Sequence, residues 1–248
     1  MAEQEAKPLG GKKALISGGG KRLGRAMAVA LARAGADTAI TFFKSRDKAQ
    51  ETLKELQASR VHALALECDV RDAESVRAAV NAAASGLGGL DILINNAATY
   101  ETVRFETLTI SEWDQMFATN VRGPFLLSKE AVPHLRERRG RIIHLGSLGG
   151  VRPWANHAHY CSSKAALHML TKVMAKALAP EIAVNCVAPG MIDLGEESVR
   201  PFMERMARQT PMRRNGTAGD VTAAVISFAT MPHFVTGQVL IVDGGLGL

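Results

Sequence analysis

Eight residues near the start, Ser17-Gly18-Gly19-Gly20-Lys21-Arg22-Leu23-Gly24, constrain this chain more than any others. They follow a short apolar run, Lys13–Ser17. They lead into a stretch, Arg22–Ala34, where Leu23, Met27, Ala30, Leu31 and Ala34 recur at helical spacing before Gly35 stops it. Strand, glycine turn, helix is the order that binds a dinucleotide. Glycines let the backbone turn tightly and approach a pyrophosphate, whose charge then sits at a helix N-terminus. An ordinary turn does not need three glycines in a row.

The same alternation continues. Strands are expected at Thr38–Phe43, Val61–Leu66, Ile92–Asn95, Arg141–Gly146, Ala183–Ala188 and Gln238–Val242. Between them, helices are expected from Ser45 or Asp47 to Ser59, from Asp72 to Ala84, over Val121–Glu137, His159–Leu178, Ser198–Gln209 and Asp220–Thr230. A further one opens at Ser111, with Asp114 three residues on as an acidic capping box. Near-continuous apolar strands alternating with helices predict one α/β domain: a doubly wound parallel sheet of about seven strands, with helices on both faces. Ligands of such sheets bind at the carboxyl ends of the strands. No linker or repeat divides the 248 residues. The irregular stretch from about 190 to 219 is long enough to be a substrate-binding lid within the domain.

The second strand bears on which dinucleotide. An NAD site places an acid about 20 residues past the loop. Here that place reads Thr41-Phe42-Phe43-Lys44-Ser45-Arg46, with two cations, a hydroxyl and no acid. Cations at a helix start oppose the dipole, a conflict an anion resolves. Lys44, Ser45 and Arg46, with Lys21 or Arg22 from the first loop, suit a 2′-phosphate and point to NADP(H).

Tyr160 and Lys164 stand four residues apart, on one face of a predicted helix. A tyrosine is a poor proton donor or acceptor at neutral pH unless perturbed, and a nearby ammonium would lower its pKa. Ser147 closes a strand at the ligand edge, where its hydroxyl can hold a substrate oxygen beside the tyrosine.

Taken in order, these motifs resemble the short-chain dehydrogenase/reductase family over nearly the whole chain. Ser17–Gly24 matches its glycine loop, Cys68-Asp69-Val70 its adenine contact and Asn95-Asn96-Ala97-Ala98 its fourth-strand motif. Asn120, Ser147, Tyr160 and Lys164 match its catalytic positions, and Pro189-Gly190 follows its sixth strand. The resemblance implies a Rossmann fold and hydride exchange between a carbonyl or alcohol and the cofactor. Tyr160 would be the general acid in reduction and Ser147 would orient the carbonyl. Lys164 would bind the nicotinamide ribose and lower the tyrosine pKa, and Asn120 would hold a water that relays protons to Lys164. The cofactor would be held by Gly18, Lys21, Arg22, Leu23, Gly24, Lys44, Ser45, Arg46, Asp69, Val70, Asn96, Ala97, Tyr160, Lys164, Pro189, Gly190 and Ile192.

Departures from the pattern divide the family's branches. Arg22 replaces a usual glycine, as in the pteridine reductase branch, and Lys44-Ser45 is similar to that branch too. That branch carries Asp where this chain has Ser147, which favours the 3-oxoacyl-carrier-protein reductase-like branch. Ala98 replaces a usual Gly, and Leu194 stands where a Thr normally bonds the cofactor. Substrate choice is assigned to about Met191–Gly216 and Gly149–His159, with Met203, Met206, Met212 and Trp154 as candidate lining. A pteridine or quinone-type reductase is the rival reading, and a non-enzymatic NADP(H)-binding regulator a third.

Other classes fit poorly. No apolar run of about 18 residues is present, so no membrane span is expected. Net charge is +6 but spread out, and aromatics are 5%, which argues against nucleic acid binding. His157, His159 and Cys161 lack a second cluster, so no metal is expected. Cys68, Cys161 and Cys186 lie far apart, as in a reducing, cytoplasmic setting. The opening MAEQEAKPLGGKK has no apolar signal segment and reads as a frayed polar tail. The family usually assembles, so a homo-oligomer, dimer or tetramer, is expected through the long helices. Cys161, Ser162, Ser163, Ala165 and Ala166 are small enough for close approach.

Overall fold

A computed structural model describes residues 7–248. Seven strands make one parallel sheet: β1 (Lys13–Ile16), β2 (Asp37–Phe42), β3 (Ala63–Glu67), β4 (Ile92–Asn95), β5 (Arg141–Leu145), β6 (Ala183–Pro189) and β7 (Val239–Val242). Their spatial order is β3-β2-β1-β4-β5-β6-β7. The chain order therefore reverses between β1 and β4, and the crevice of a doubly wound sheet opens there.

The strands alternate between two apolar cores, so each explains its own burial. Ile16, Ile94 and Val187 pack on one face with Met27 and Leu31 of α1 (Arg22–Arg33) and Val225 of α8 (Ala218–Thr230). Leu15, Leu93 and Val184 point to the other face, against Val80 of α3 (Ala73–Leu87) and Leu127 and Leu135 of α5 (Gly123–Glu137). Residues one apart facing opposite cores is the period of a pleated strand with both faces covered. The remaining helices are α2 (Arg46–Ala58), α4 (Ile110–Phe117), α6 (Ala158–Leu178) and α7 (Arg200–Gln209).

Several local expectations are corrected. Of the expected polar tail, residues 1–6 lie outside the described residues. From Lys7 onward the chain is tied down, because Leu9 is buried and its N–H donates to the Ala34 carbonyl at 2.9 Å. The cap of α4 is Thr109, not Ser111: its hydroxyl accepts from Glu112 N at 3.2 Å while the Glu112 carboxylate accepts from Thr109 N at 2.8 Å. Ser45 stands at the start of α2, but its side chain makes no capping bond. A π-helical turn, Ala118–Arg122, joins α4 to α5.

The stretch between β6 and α8 is anchored at its base. Ile192 bridges Gly216, with Asp193 N donating to Gly216 O and Gly216 N to Met191 O, both at 2.8 Å. Its Glu196 pairs with Arg22 of the glycine loop at 2.9 Å.

Candidate active site

The glycine loop is shaped by what it packs on. Gly18 takes φ +66°, open to glycine, and a side chain there would meet Ala97 Cα at 3.1 Å. A Cβ on Gly24 would stand 2.1 Å from the Gly18 carbonyl oxygen. Asn96 braces the turn by donating its amide to Ser17 O at 2.9 Å and Gly18 O at 3.0 Å. Ser17 Oγ accepts from the Asn96 and Ala97 N–H groups, both at 3.0 Å. The first turn of α1 has no side-chain cap and no acid. Its N-terminal N–H groups thus face the loop unopposed, as an anion would require. Arg22 itself is left-handed, φ +53°, at the position of the missing glycine.

A cleft of about 840 Å³ runs from this loop across the sheet edge. Of the expected cofactor residues, all but Arg46 line it. Arg46 turns away: it pairs with Glu67 and lies over the Phe42 ring at 5.4 Å. Lys44 does line the cleft, 5.6 Å over the exposed Phe43 ring. Two neighbours went unread in the sequence. Arg71 covers the same ring at 5.4 Å, and its Nε and Nη2 donate to the Asp69 carboxylate at 2.7–3.2 Å. That guanidinium holds the Asp69 carboxyl below its ordinary pKa. Neither could be found from local pattern, because Phe43 reads as strand and Arg71 as helix-leading charge.

The chemistry stands at the other end. Ser147 follows β5, while Tyr160 and Lys164 project from α6, and all three line the cleft. Lys164 Nζ lies 5.9 Å from the Tyr160 ring centre and donates to Leu145 O at 2.7 Å. Ser147 Oγ accepts from Gly149 N at 3.1 Å. The expected lowering of the tyrosine pKa is not what this arrangement produces. Burial pushes Tyr160 up to about 12, with the Ser147 hydroxyl pulling the other way, and burial pushes Lys164 down to about 8. Desolvation dominates both groups, and Lys164 gives its hydrogen bond to a carbonyl rather than to the tyrosine hydroxyl.

Asn120 is brought near but does not line the cleft. Its Oδ1 accepts from Thr99 N at 2.9 Å, and its Nδ2 donates to Thr99 O at 3.0 Å and Ser163 Oγ at 3.1 Å. Both ends of the amide are engaged by protein, so the side chain fastens the loop after β4 to α6. Trp154 and Leu194 line the cleft, and Met203, Met206 and Met212 do not. Met203 is buried and Met212 is exposed. Arg214 is paired with Asp220 at 2.7 Å.

Among the described residues, no three His, Cys, Asp or Glu side chains converge as a metal site. No helix among them is long and apolar enough to cross a membrane.

The family model described as enoyl-(acyl carrier protein) reductase matches residues 20–247. The chain belongs to the short-chain dehydrogenase/reductase family. The 3-oxoacyl-[acyl-carrier-protein] reductase FabG of Staphylococcus aureus is 35% identical over 95% of this chain and 98% of its own. A short-chain dehydrogenase/reductase structure from Serratia marcescens superposes with a TM-score of 0.92 at 36% identity, covering 97% of this chain and 100% of that one. NAD+-bound xylitol dehydrogenase gives a TM-score of 0.91 at 27% identity, covering 96% and 99%. The chain is thus an oxidoreductase fold with a site for a nicotinamide dinucleotide. The open α1 terminus, the glycine cradle and the cleft fit that group.

Proposed function

We propose that the chain is an NADP(H)-dependent reductase of carbonyl compounds, a 3-oxoacyl thioester among them, working in the cytoplasm as a homo-oligomer. One observation carries the reading: Ser147, Tyr160 and Lys164 share one end of a cleft whose other end is the glycine loop and Lys44. The diphosphate would lie on the loop and the start of α1. A 2′-phosphate would meet Lys44 and Ser45, whose hydroxyl is not spent on capping α2. Arg22 and Arg46 are both paired with carboxylates, so they contribute less than the sequence suggested.

When bound, the dinucleotide supplies the hydride. The protein's part is position and protons. Tyr160, kept protonated by burial, donates to the carbonyl oxygen as charge develops on it. Ser147 orients that oxygen. Lys164, near its titration point at about 8, holds the ribose and resupplies the proton.

The left-handed Arg22 and Lys44-Ser45 support a pteridine-reductase-like loop path at the cofactor end alone. Ser147 favours carbonyl over pterin. For assembly, Phe125 of α5 and Met169 and Val173 of α6 are exposed and apolar, a face suited to a second copy. Light scattering reads the oligomer.

The test is NADPH oxidation with a β-ketoacyl thioester, a diketone, a quinone and dihydropterin. Turnover of thioester or diketone, lost in Tyr160→Phe while NADPH binding persists, supports the reading. Turnover of the pterin alone overturns it.

A further inference from the structure

Two loops meet over Tyr160, and the chemistry above uses neither. Tyr100 lies in the loop after β4, and its ring packs edge-on to that of Tyr160 with centres 4.8 Å apart. Its hydroxyl is 2.7 Å from His157 Nε2, and its ring stacks on the imidazole at 5.1 Å. The Thr102 hydroxyl reaches the same nitrogen at 2.9 Å. Beside them Val103 N donates to Asn156 O at 2.9 Å. One imidazole and one backbone bond therefore fasten the loop after β4 to the start of α6, the helix that carries Tyr160 and Lys164. Trp154 packs edge-on to the same imidazole at 5.7 Å.

Tyr100 is pinned at its hydroxyl, yet it lines the cleft and stays 56% exposed. A ring held at its tip and open along its face is a wall that an incoming molecule meets. Tyrosine suits this because it presents a large surface with few rotatable bonds to freeze. Burial holds His157 below its ordinary pKa, which favours a neutral hydroxyl–imidazole pair over a hydroxyl–imidazolium one.

We propose that Tyr100, clasped by His157, selects the substrate of the carbonyl-reductase reaction. It closes the space beside Tyr160, so that compact or flat carbonyl compounds reach Tyr160 and Ser147 and those branched next to the carbonyl do not. The inference rests on the function proposed above. Tyr100 meets the substrate, and His157 is a positioning residue that acts through Tyr100.

The experiment compares kcat/KM for an aryl methyl ketone and its tert-butyl analogue with NADPH. Removing the ring in Tyr100→Ala should move the ratio toward the tert-butyl ketone by at least about tenfold, the scale of steric discrimination by a pocket wall. NADPH affinity and Tm should stay near wild type. His157→Ala should shift the ratio the same way but less. The double variant should go no further than Tyr100→Ala alone, because His157 has nothing left to hold. Tyr100→Leu, too short for the imidazole, gives an intermediate ratio and stands in if the alanine variant is unstable. An unchanged ratio in these Tyr100 variants overturns the inference and leaves the reductase standing. Additive shifts in the double variant overturn the clasp. A wild type that reduces no ketone or thioester overturns both.

Discussion

Gly24→Ala sets two effects against each other. Gly24 is the third residue of α1, and by helix propensity alone alanine is better there by about 1 kcal/mol. Against this, the new Cβ would stand 2.1 Å from the Gly18 carbonyl oxygen and 2.7 Å from Asn96 Nδ2. Neither neighbour can yield alone. The carbonyl is backbone, and the amide is bonded to Ser17 O and Gly18 O at 2.9 and 3.0 Å. Overpacking costs about 1–3 kcal/mol. Parting a half-buried amide from its acceptors adds up to about 1–3 kcal/mol. Net of propensity, the variant should lose about 1–5 kcal/mol, a fall in Tm of several degrees at roughly 2–4 °C per kcal/mol for a chain of this size. The displaced loop should also weaken NADPH by about tenfold or more, since its N–H groups no longer converge. Thermal denaturation and a fluorescence titration of NADPH read the two effects. A variant with wild-type Tm and Kd, or one more stable than wild type, would refute the cradle.

Three further outcomes follow from the site. Lys44→Ala should weaken NADPH by about 10- to 100-fold, the scale of one charge-assisted bond, and leave NADH nearly unchanged. Arg46→Ala should change NADPH little, because Arg46 faces Glu67; equal losses in the two variants contradict that placement. Lys164→Met should be more stable than wild type at pH 7. Lowering the lysine from 10.5 to about 8 corresponds to about 3 kcal/mol of burial cost. Below about 8 both states hold the proton and the cost is full. Between there and 10.5 only the unfolded chain does, so wild-type stability rises with pH and the gap should close by about pH 10.5. The unpaired Leu145 carbonyl offsets part of the gain, and denaturant midpoints at pH 7 and 10 decide it. In turnover, kcat/KM for reduction should hold to about pH 8 and then decline as Lys164 deprotonates while Tyr160 keeps its proton. A flat profile to pH 10 counts against Lys164.

The fold was legible because the strands are short apolar runs, most of them ended by a glycine or by polar residues that lead into the next helix, a signal carried within a few residues. The catalytic end was legible for the same reason: Ser147 closes a strand, and Tyr160 and Lys164 share a helix face. What went unread is set by contacts between distant segments. Leu9 is buried by a bond to Ala34, and Arg46 is drawn off by Glu67. Thr109 and Ser111 both precede an acid by three residues, so spacing alone does not choose between them; the Thr109–Glu112 pair is the one that closes. The direction of the tyrosine shift was unreadable because it depends on how much water the packed fold removes. The clasp of Tyr100 by His157 joins residues 57 apart.

The π-helical turn at Ala118–Arg122 has a consequence for chain length. Such a turn holds one residue more than the α-helical path. It therefore absorbs an extra residue between two helices that each have a fixed partner, without turning either of them. On one side Asn120 must meet Thr99 and Ser163; on the other Leu127, Ala131 and Leu135 must face the sheet. Deleting one residue from 118–122 would restore an unbroken α-helical ladder and make a better isolated helix. Because the turn absorbs that extra residue, the helices on either side should keep their facing, and the apolar face of α5 should still meet the sheet. The damage should be local: Asn120 lies inside the turn, and its bonds to Thr99 and Ser163 would be lost or displaced. A deletion here is thus expected to spare the fold and loosen the loop after β4.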